Sequence, residues 1–343
     1  MRKDLDLEKH RRKNSDAVPK AAAERKIPSS KSAGIIFSLM AVLLICFALF
    51  IELNSLFFKI EGVPTWDDVF KDAGLVQGEE TIDGDLSVHF IDVGQGDCEL
   101  IVSGTKTVLI DCGEKEYYSY VIDYLKGREI TRLDYVIVTH PHSDHAGGMN
   151  YILKEFDIGT LIMPKLSEKI TPATSTYRKL LTAIESENIT LKYAEPGRSY
   201  KIDNASIRIL TPIKDYENLN NYSVAVKLVH GENSFLFTGD MEREAEADLL
   251  ESGADVSANV LKVGHHGSST STSKEFLDRV NPEYAVIEVG SPNDYGHPDS
   301  KVIKRIKKIG TEIYRTDLSG NIVFVSDGEK LKILTGDNVN ADN

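Results

Sequence analysis

The segment Val138–Gly148 reads VTHPHSDHAGG and constrains this chain more than any other. Three imidazoles (His140, His142, His145) and the carboxylate of Asp144 fall within six residues. They follow directly on Leu133–Thr139 (LDYVIVT), an apolar run with the character of a buried strand. Imidazole nitrogens and a carboxylate oxygen at this density hold a divalent ion and leave coordination positions for water, whose pKa then falls toward about 7. Gly147 and Gly148 let a helix start close to such an ion without Cβ clashes.

Composition removes several classes. The 343 residues are 41% hydrophobic and 27% charged, with 3 Cys, 25 Gly and 11 Pro. Collagen-like, low-complexity and disulfide-scaffold chains are excluded. Charge is unevenly spread: residues 1–31 carry ten Lys/Arg against five Asp/Glu, residues 32–51 carry none, and the formal net charge of -13 leaves -18 on the remainder. Ala33–Ile51 (AGIIFSLMAVLLICFALFI) has Ser38 as its one conventional polar side chain, and its nineteen residues at about 1.5 Å rise each match the hydrocarbon thickness of a bilayer. No second stretch of this kind exists, which excludes a polytopic membrane protein. A cleaved signal peptide fits less well, because the tail ahead of the stretch is long and no small-residue cleavage site follows it.

Lys and Arg stay on the cytoplasmic side. The expectation is therefore a basic, disordered cytoplasmic tail (1–32), a transmembrane anchor (33–51), an acidic stalk (52–82), an extracytoplasmic folded domain (83–338) and a short tail (339–343).

From Asp85 onward short β-branched runs alternate with turns and amphipathic segments. Strands are expected at Leu86–Asp92, Glu99–Ser103, Thr107–Asp111, Leu133–Thr139, Thr160–Met163, Ala205–Leu210, Ser223–Val229, Ser234–Thr238, Asn259–Val263 and Tyr284–Val289. Helices are expected at Tyr117–Lys126, Thr176–Ser186, Glu242–Glu251, Lys274–Val280 and Lys301–Ile309. This is an α/β texture of two sheets with helices outside them.

The motif Thr139–Gly148 resembles the signature of metallo-β-lactamase-fold hydrolases. Phe90–Asp97 (FIDVGQGD) looks like the opening motif of the ComEC-like branch, the hydrolase domain of DNA-uptake proteins, and Leu109–Gly113 (LIDCG) like the hairpin motif after it. Phe235–Asp240 (FLFTGD), Leu261–Ser268 (LKVGHHGS) and Tyr295–Pro298 (YGHP) are similar to its later motifs, in the same order. The resemblance implies an αββα sandwich, two mixed sheets flanked by helices, and a pair of adjacent divalent ions, Zn²⁺ or Mn²⁺. In it His140 and His142 hold one ion, Asp144 and His145 the other, Asp240 bridges them, and one of His265 or His266 completes the second. Asp144, Asp240 and His266 are then the catalytic residues. Asp92, Asn220, Asn221, Ser268 and His297 are expected to orient ligands or touch substrate.

One departure is visible. Many members of the superfamily carry another histidine shortly before the strand that leads to the bridging aspartate, where this chain has Glu217–Ser223 (ENLNNYS). An asparagine there offers a weaker oxygen ligand, and oxygen-rich ligation favours Mn²⁺ as a rival to Zn²⁺. His230 lies at the far end of that hairpin and cannot substitute. His89 is expected to be an ordinary packed histidine. Cys98 and Cys112 lie symmetrically about the turn at 104–106, as a cross-strand disulfide or as two buried thiols. The basic stretch Lys304–Lys308 reads as a solvated helix face.

The resulting expectation is a membrane-anchored phosphodiesterase outside the cytoplasmic membrane, with single-stranded DNA the leading substrate and no dinucleotide cofactor. The acidic body argues against tight non-specific DNA binding. The alternatives are an esterase acting on cell-wall or lipid-linked phosphocholine-type groups and, in another class, a non-catalytic metal-binding module. One spanning segment forms no pore, so a DNA-uptake role needs a separate channel.

Overall fold

The computed structural model describes residues 84–336, together with residues 47–50, 54 and 63. The expected tail, and most of the expected anchor and stalk, lie outside the described residues. Among the described residues no helix is long and apolar enough to cross a membrane. The chain divides into two units, Met1–Glu80 and Thr81–Asn343, and every strand below belongs to the second.

The strands are β1 (Leu86–Phe90), β2 (Glu99–Ser103), β3 (Lys106–Ile110), β4 (Arg132–Ile137), β5 (Asp157–Met163), β6 (Leu191–Tyr193), β7 (Ser199–Ile202), β8 (Ala205–Ile209), β9 (Val226–His230), β10 (Asn233–Phe237), β11 (Val260–Lys262), β12 (Tyr284–Ile287), β13 (Glu312–Arg315), β14 (Ile322–Ser326) and β15 (Leu331–Thr335). They form an eight-stranded sheet, order β15-β14-β1-β2-β3-β4-β5-β6, and a seven-stranded sheet, order β13-β12-β11-β10-β9-β8-β7. Both sheets are mixed. In the first, β3 to β6 run parallel and the others antiparallel. In the second, β10 to β13 run parallel and β7 to β10 antiparallel.

Alternation along the strands makes four layers of this. On β3 and β4, Val108, Ile110 and Ile137 face the second sheet, while Leu109, Val136 and Val138 face helices Tyr118–Lys126, Met149–Glu155 and Ser175–Ser186. On β10, Phe235 and Phe237 point inward, and Leu236 packs outward with helices Arg243–Glu251, Lys274–Val280 and Ser300–Lys308. Strands buried on both faces read as unbroken apolar runs, and the expected αββα sandwich is what they build.

Phe324 of β14 joins the sheets. Its ring meets Phe235 at 5.9 Å, Tyr284 at 5.8 Å and Tyr314 at 6.1 Å across the interface, and Phe90 at 5.9 Å within its own sheet. Phe324→Ala is expected to cost about 3–5 kcal/mol, lowering the melting temperature by roughly 6–20 °C for a domain of this size. A loss below about 1 kcal/mol in a thermal melt would show that this ring does not hold the sheets together.

The structure corrects the strand reading at both ends of the second half. No strands are expected at 191–202 or beyond 311, yet β6, β7, β13, β14 and β15 form there. Partners more distant in sequence decide β6, β13 and β14, while β7 and β15 are edge strands in hairpins with β8 and β14. β14 pairs with β1 in the register Leu86↔Ser326, and nothing local to residues 322–326 announces that partner.

Candidate metal centre

β3 and β4 run parallel, as do β10, β11 and β12, so the residues that follow each leave at a carboxyl edge. Ligand sites in open α/β sheets form at such edges. Asp111 follows β3, the His140–His145 segment follows β4, Asp240 follows β10, His265 and His266 follow β11, and Glu288 follows β12. The loop after β1 closes over them: Asp97 N donates to Asp144 O (3.2 Å) and Gly113 N to Asp97 O (2.9 Å). A Cβ on Gly96 would sit 2.4 Å from Asp144 O, so only glycine lets the two loops meet. A Cβ on Gly147 would strike Ser143 O at 2.2 Å and Lys115 N at 2.6 Å, so this glycine lets the segment pack against the 114–115 loop.

Four side chains converge. One ligand atom from each of Asp144, His145, Asp240 and His266 lies within 4.8 Å of every other. His145 Nε2 is 3.2 Å from Asp240 Oδ1 and 3.8 Å from Asp144 Oδ2; His266 Nε2 is 3.3 Å from Asp144 Oδ2 and 3.7 Å from Asp240 Oδ1. The other oxygen of Asp240 faces a second group. Oδ2 is 3.5 Å from His265 Nε2 and 3.9 Å from His140 Nε2, and His140 Nε2 is itself 2.9 Å from His142 Nδ1. Asp240 therefore shares its two oxygens between two sets of imidazoles. His265 and His266 reach opposite oxygens from adjacent positions because both adopt left-handed backbone, each with φ 52°. Such conformations carry strain in residues other than glycine and gather at functional sites.

Asp111 hydrogen-bonds one ring, and Asp97 lies in charge contact with another. Asp111 Oδ2 is 2.8 Å from His145 Nδ1, and its Oδ1 accepts from Thr139 N at 2.8 Å. Asp97 Oδ1 is 3.2 Å from His266 Nδ1, which also lies 2.9 Å from the main-chain oxygen of Glu288. A main-chain oxygen only accepts, so Nδ1 of His266 carries a proton and Nε2 is the nitrogen that faces the cluster. Burial opposes charge on His145 and His266, yet Asp240 with Asp144 and Asp97 raises both, His266 to about 10. Asp97 is pushed up by burial but pulled down further by Lys262 and the two histidines, to about 2. Burial first, and then the neighbouring His145, holds His140 well below the ordinary histidine value.

These residues fit a divalent cation. His145 Nε2 and Asp240 Oδ1 are buried without a hydrogen bond, and the negative charge gathered round His145 and His266 is what a bound cation would neutralise. The donor set of imidazole nitrogen and carboxylate oxygen suits Zn²⁺ or Mn²⁺ alike.

The pattern of the metallo-beta-lactamase superfamily matches residues 91–290, spanning every motif just described except the Tyr295–Pro298 loop. The chain belongs to this superfamily of metal-dependent hydrolases. It is 31% identical over 258 residues to ComE operon protein 3 of Bacillus subtilis, covering 69% of this chain and 32% of that protein. Recombination protein 2 of Haemophilus influenzae is 31% identical over 287 residues, 82% of this chain and 31% of its own. Competence protein ComA of Neisseria gonorrhoeae is 29% identical over 290 residues, 83% of this chain and 38% of its own. These relatives place the chain in the ComEC-like branch. It spans about a third of their length.

The metallo-beta-lactamase fold places the other candidates unequally. Asp92 does not orient a histidine: its Oδ1 accepts from Gly94 N at 3.1 Å and shapes the loop, and the orienting carboxylates are Asp97 and Asp111. Both lay in the quoted motifs, but which of the two acids of the opening motif reaches inward depends on loop backbone. Asn220 lines the cleft with its Oδ1 buried and unpaired, whereas Asn221 turns away, its Oδ1 accepting from Glu242 N at 3.0 Å. Ser268 also stays local, within 3.1 Å of Thr270 Oγ1. His297 lines the cleft, held through its main chain by Asn293, with Nδ1 buried and unpaired; burial and the neighbouring His265 and His266 hold its pKa down at about 4.

The cleft over the centre, about 450 Å³, is walled by Gln95, Ser143, Thr174, Asn220, Tyr295 and His297. His89 is a packed histidine, 2.9 Å from Tyr124 Oη. His230 pairs with Ser326 Oγ at 2.8 Å, at the opposite end of the β9–β10 hairpin from Asp240. Cys98 and Cys112 are free and buried. The β2–β3 register, Glu99↔Ile110, is one residue off the symmetry that would set them opposite each other.

Proposed function

We propose that this chain is a membrane-anchored, extracytoplasmic phosphodiesterase that binds two divalent ions, with single-stranded DNA as its leading substrate. The observation that carries the reading is the split of Asp240 between His145 and His266 on Oδ1 and His140 and His265 on Oδ2. His266, buried and beside Asp97, belongs with Asp144 and His145; His140 and His142 form the other set, with His265 Nε2 at its margin and Asn220 on the cleft wall. Ions bound there supply Lewis acidity and a water acidified toward neutral pH. The protein's part is to fix the ligand rings through Asp97 and Asp111 and to admit a substrate phosphate into the cleft beside Gln95, Asn220 and His297. The wider spread of the His140 group, of which no three ligand atoms lie within 4.8 Å among the described residues, supports a more exchangeable first ion. Relatives named for competence and recombination support a nucleic-acid substrate, and the apolar run Ala33–Ile51 behind a basic tail supports the anchor.

The test is hydrolysis of bis-p-nitrophenyl phosphate by the purified full chain, stripped of metal and reloaded with Mn²⁺ or Zn²⁺. Turnover is expected with at least one metal and is expected to fall by about 10³-fold in Asp144→Ala. Two bound ions with no turnover under either metal would end the phosphodiesterase reading. A chain that binds no metal at all would make the non-catalytic module the better account.

A further inference from the structure

We propose that Lys262 is a positioning residue for this centre: its buried ammonium holds Asp97 in place, and Asp97 fixes the ring of His266 so that Nε2 faces Asp144 and Asp240. The inference rests on the centre binding metal and concerns how the second ligand group is kept in register.

Lys262 ends β11, four residues before His266, in a strand whose other residues, Val260 and Leu261, are fully buried and apolar. Sequence pattern calls for a third apolar side chain there. Instead a lysine sits with none of its surface exposed, its Nζ 2.7 Å from Asp97 Oδ2, 4.0 Å from Glu288 Oε2, and donating to Val263 O at 3.1 Å. Lysine is almost never buried so completely unless paired. Stability does not explain the choice, because a well-packed apolar residue commonly serves a fold as well as a buried ion pair or better.

What the pair does can be read from its ends. Asp97 belongs to the loop after β1 in the first sheet, and Lys262 to a strand of the second. The ion pair therefore ties the two halves of the centre directly beneath the converging ligands. Asp97 turns its other oxygen to His266 Nδ1 at 3.2 Å, and Oδ2 stands 3.8 Å from His145 Nδ1. Glu288 extends the tie, since Oε1 accepts from Cys98 N at 3.1 Å while its main-chain oxygen meets His266 Nδ1 at 2.9 Å. Removing the ammonium takes from buried Asp97 its nearest cation, and the carboxylate beside His266 loses that anchor.

The test compares Lys262→Met, Asp97→Asn and the double variant in the full chain. The readouts are Zn²⁺ and Mn²⁺ affinity by equilibrium dialysis, the visible spectrum of the Co²⁺-loaded protein, and thermal melts that confirm folding. Each single variant is expected to weaken the tighter-bound ion by about 10–100-fold and to change the Co²⁺ spectrum. The double variant is expected to bind no worse than Asp97→Asn alone, because Lys262 acts through Asp97. Lys262→Met carries an unpaired buried charge and can fail to fold; the double variant removes both charges and then carries the comparison. Folded variants with unchanged affinity and spectrum would overturn the proposal, leaving Lys262 a structural residue. Losses that multiply in the double variant would also overturn it, by showing independent action. An unmodified chain that binds no metal would overturn the metal reading itself, an outcome visible before any variant is made.

Discussion

Asp240→Ala is expected to lower bound metal from two ions per chain to one or none and to reduce phosphodiester hydrolysis by about 10³-fold or more. Asp240 is 1% exposed and lies in close range of both imidazole groups, with His145 Nε2 at 3.2 Å and His265 Nε2 at 3.5 Å. Its position is locked before any ion arrives: Asp240 N donates to Ser223 Oγ at 3.0 Å, and Gly239 turns the chain with φ 50° where a Cβ would press on Ser223 and Thr139. Truncation takes an anionic oxygen from each group at once, so neither keeps enough charge to hold a divalent ion tightly. Metal analysis of the purified variant, beside Asp92→Asn as a control whose side chain only shapes its own loop, decides it. Two tightly held ions in Asp240→Ala would show that Asp240 bridges nothing.

Metal loading is expected to raise the melting temperature of the stripped chain by roughly 8–16 °C at a thousandfold excess over the dissociation constant, and a chelator should reverse it. The stabilisation from such binding is about 4 kcal/mol, and a domain of this size gains about 2–4 °C per kcal/mol. The physical source is electrostatic. Asp144, Asp240, Asp97 and Asp111 crowd His145 and His266 in a buried pocket, and a divalent cation replaces bound protons as the compensating charge. Because imidazoles must lose their protons to bind it, the increment should shrink as pH falls. A melting temperature indifferent to Zn²⁺, Mn²⁺ and chelator would mean that the fold does not use the site for cations.

The fold and most of the centre were legible in the sequence, for a physical reason. Ligands from one short segment, His140 to His145, and from turns at strand ends, Asp240 and His266, leave dense local motifs, and strands buried on both faces leave unbroken apolar runs. The choice between His265 and His266 was not legible, since two adjacent left-handed residues send their rings to different oxygens and only the backbone reveals which. Asp92 illustrates the same limit. It stands in the opening motif with Asp97, but five residues of loop geometry decide that one caps a turn and the other reaches His266. Lys262 was hidden differently, as a charged letter in an apolar strand whose partner lies 165 residues away in sequence. The strands β13 and β14 were missed because their pairing with β12 and β1 is invisible to any local window, whereas β15 is the second arm of a local hairpin with β14 whose apolar alternation was overlooked.

The split origin of the centre sets an order of events. His140 to His145 arrive with β4, while Asp240 and His266 come about a hundred residues later, on the opposite sheet. A partly synthesised or half-collapsed chain thus owns a cluster of histidines but no second half to close on. Contacts of such long sequence separation form late, so tight cation uptake marks the docking of the two sheets and comes after it. The rate at which a refolding chain acquires metal then becomes a clock for its slowest folding step.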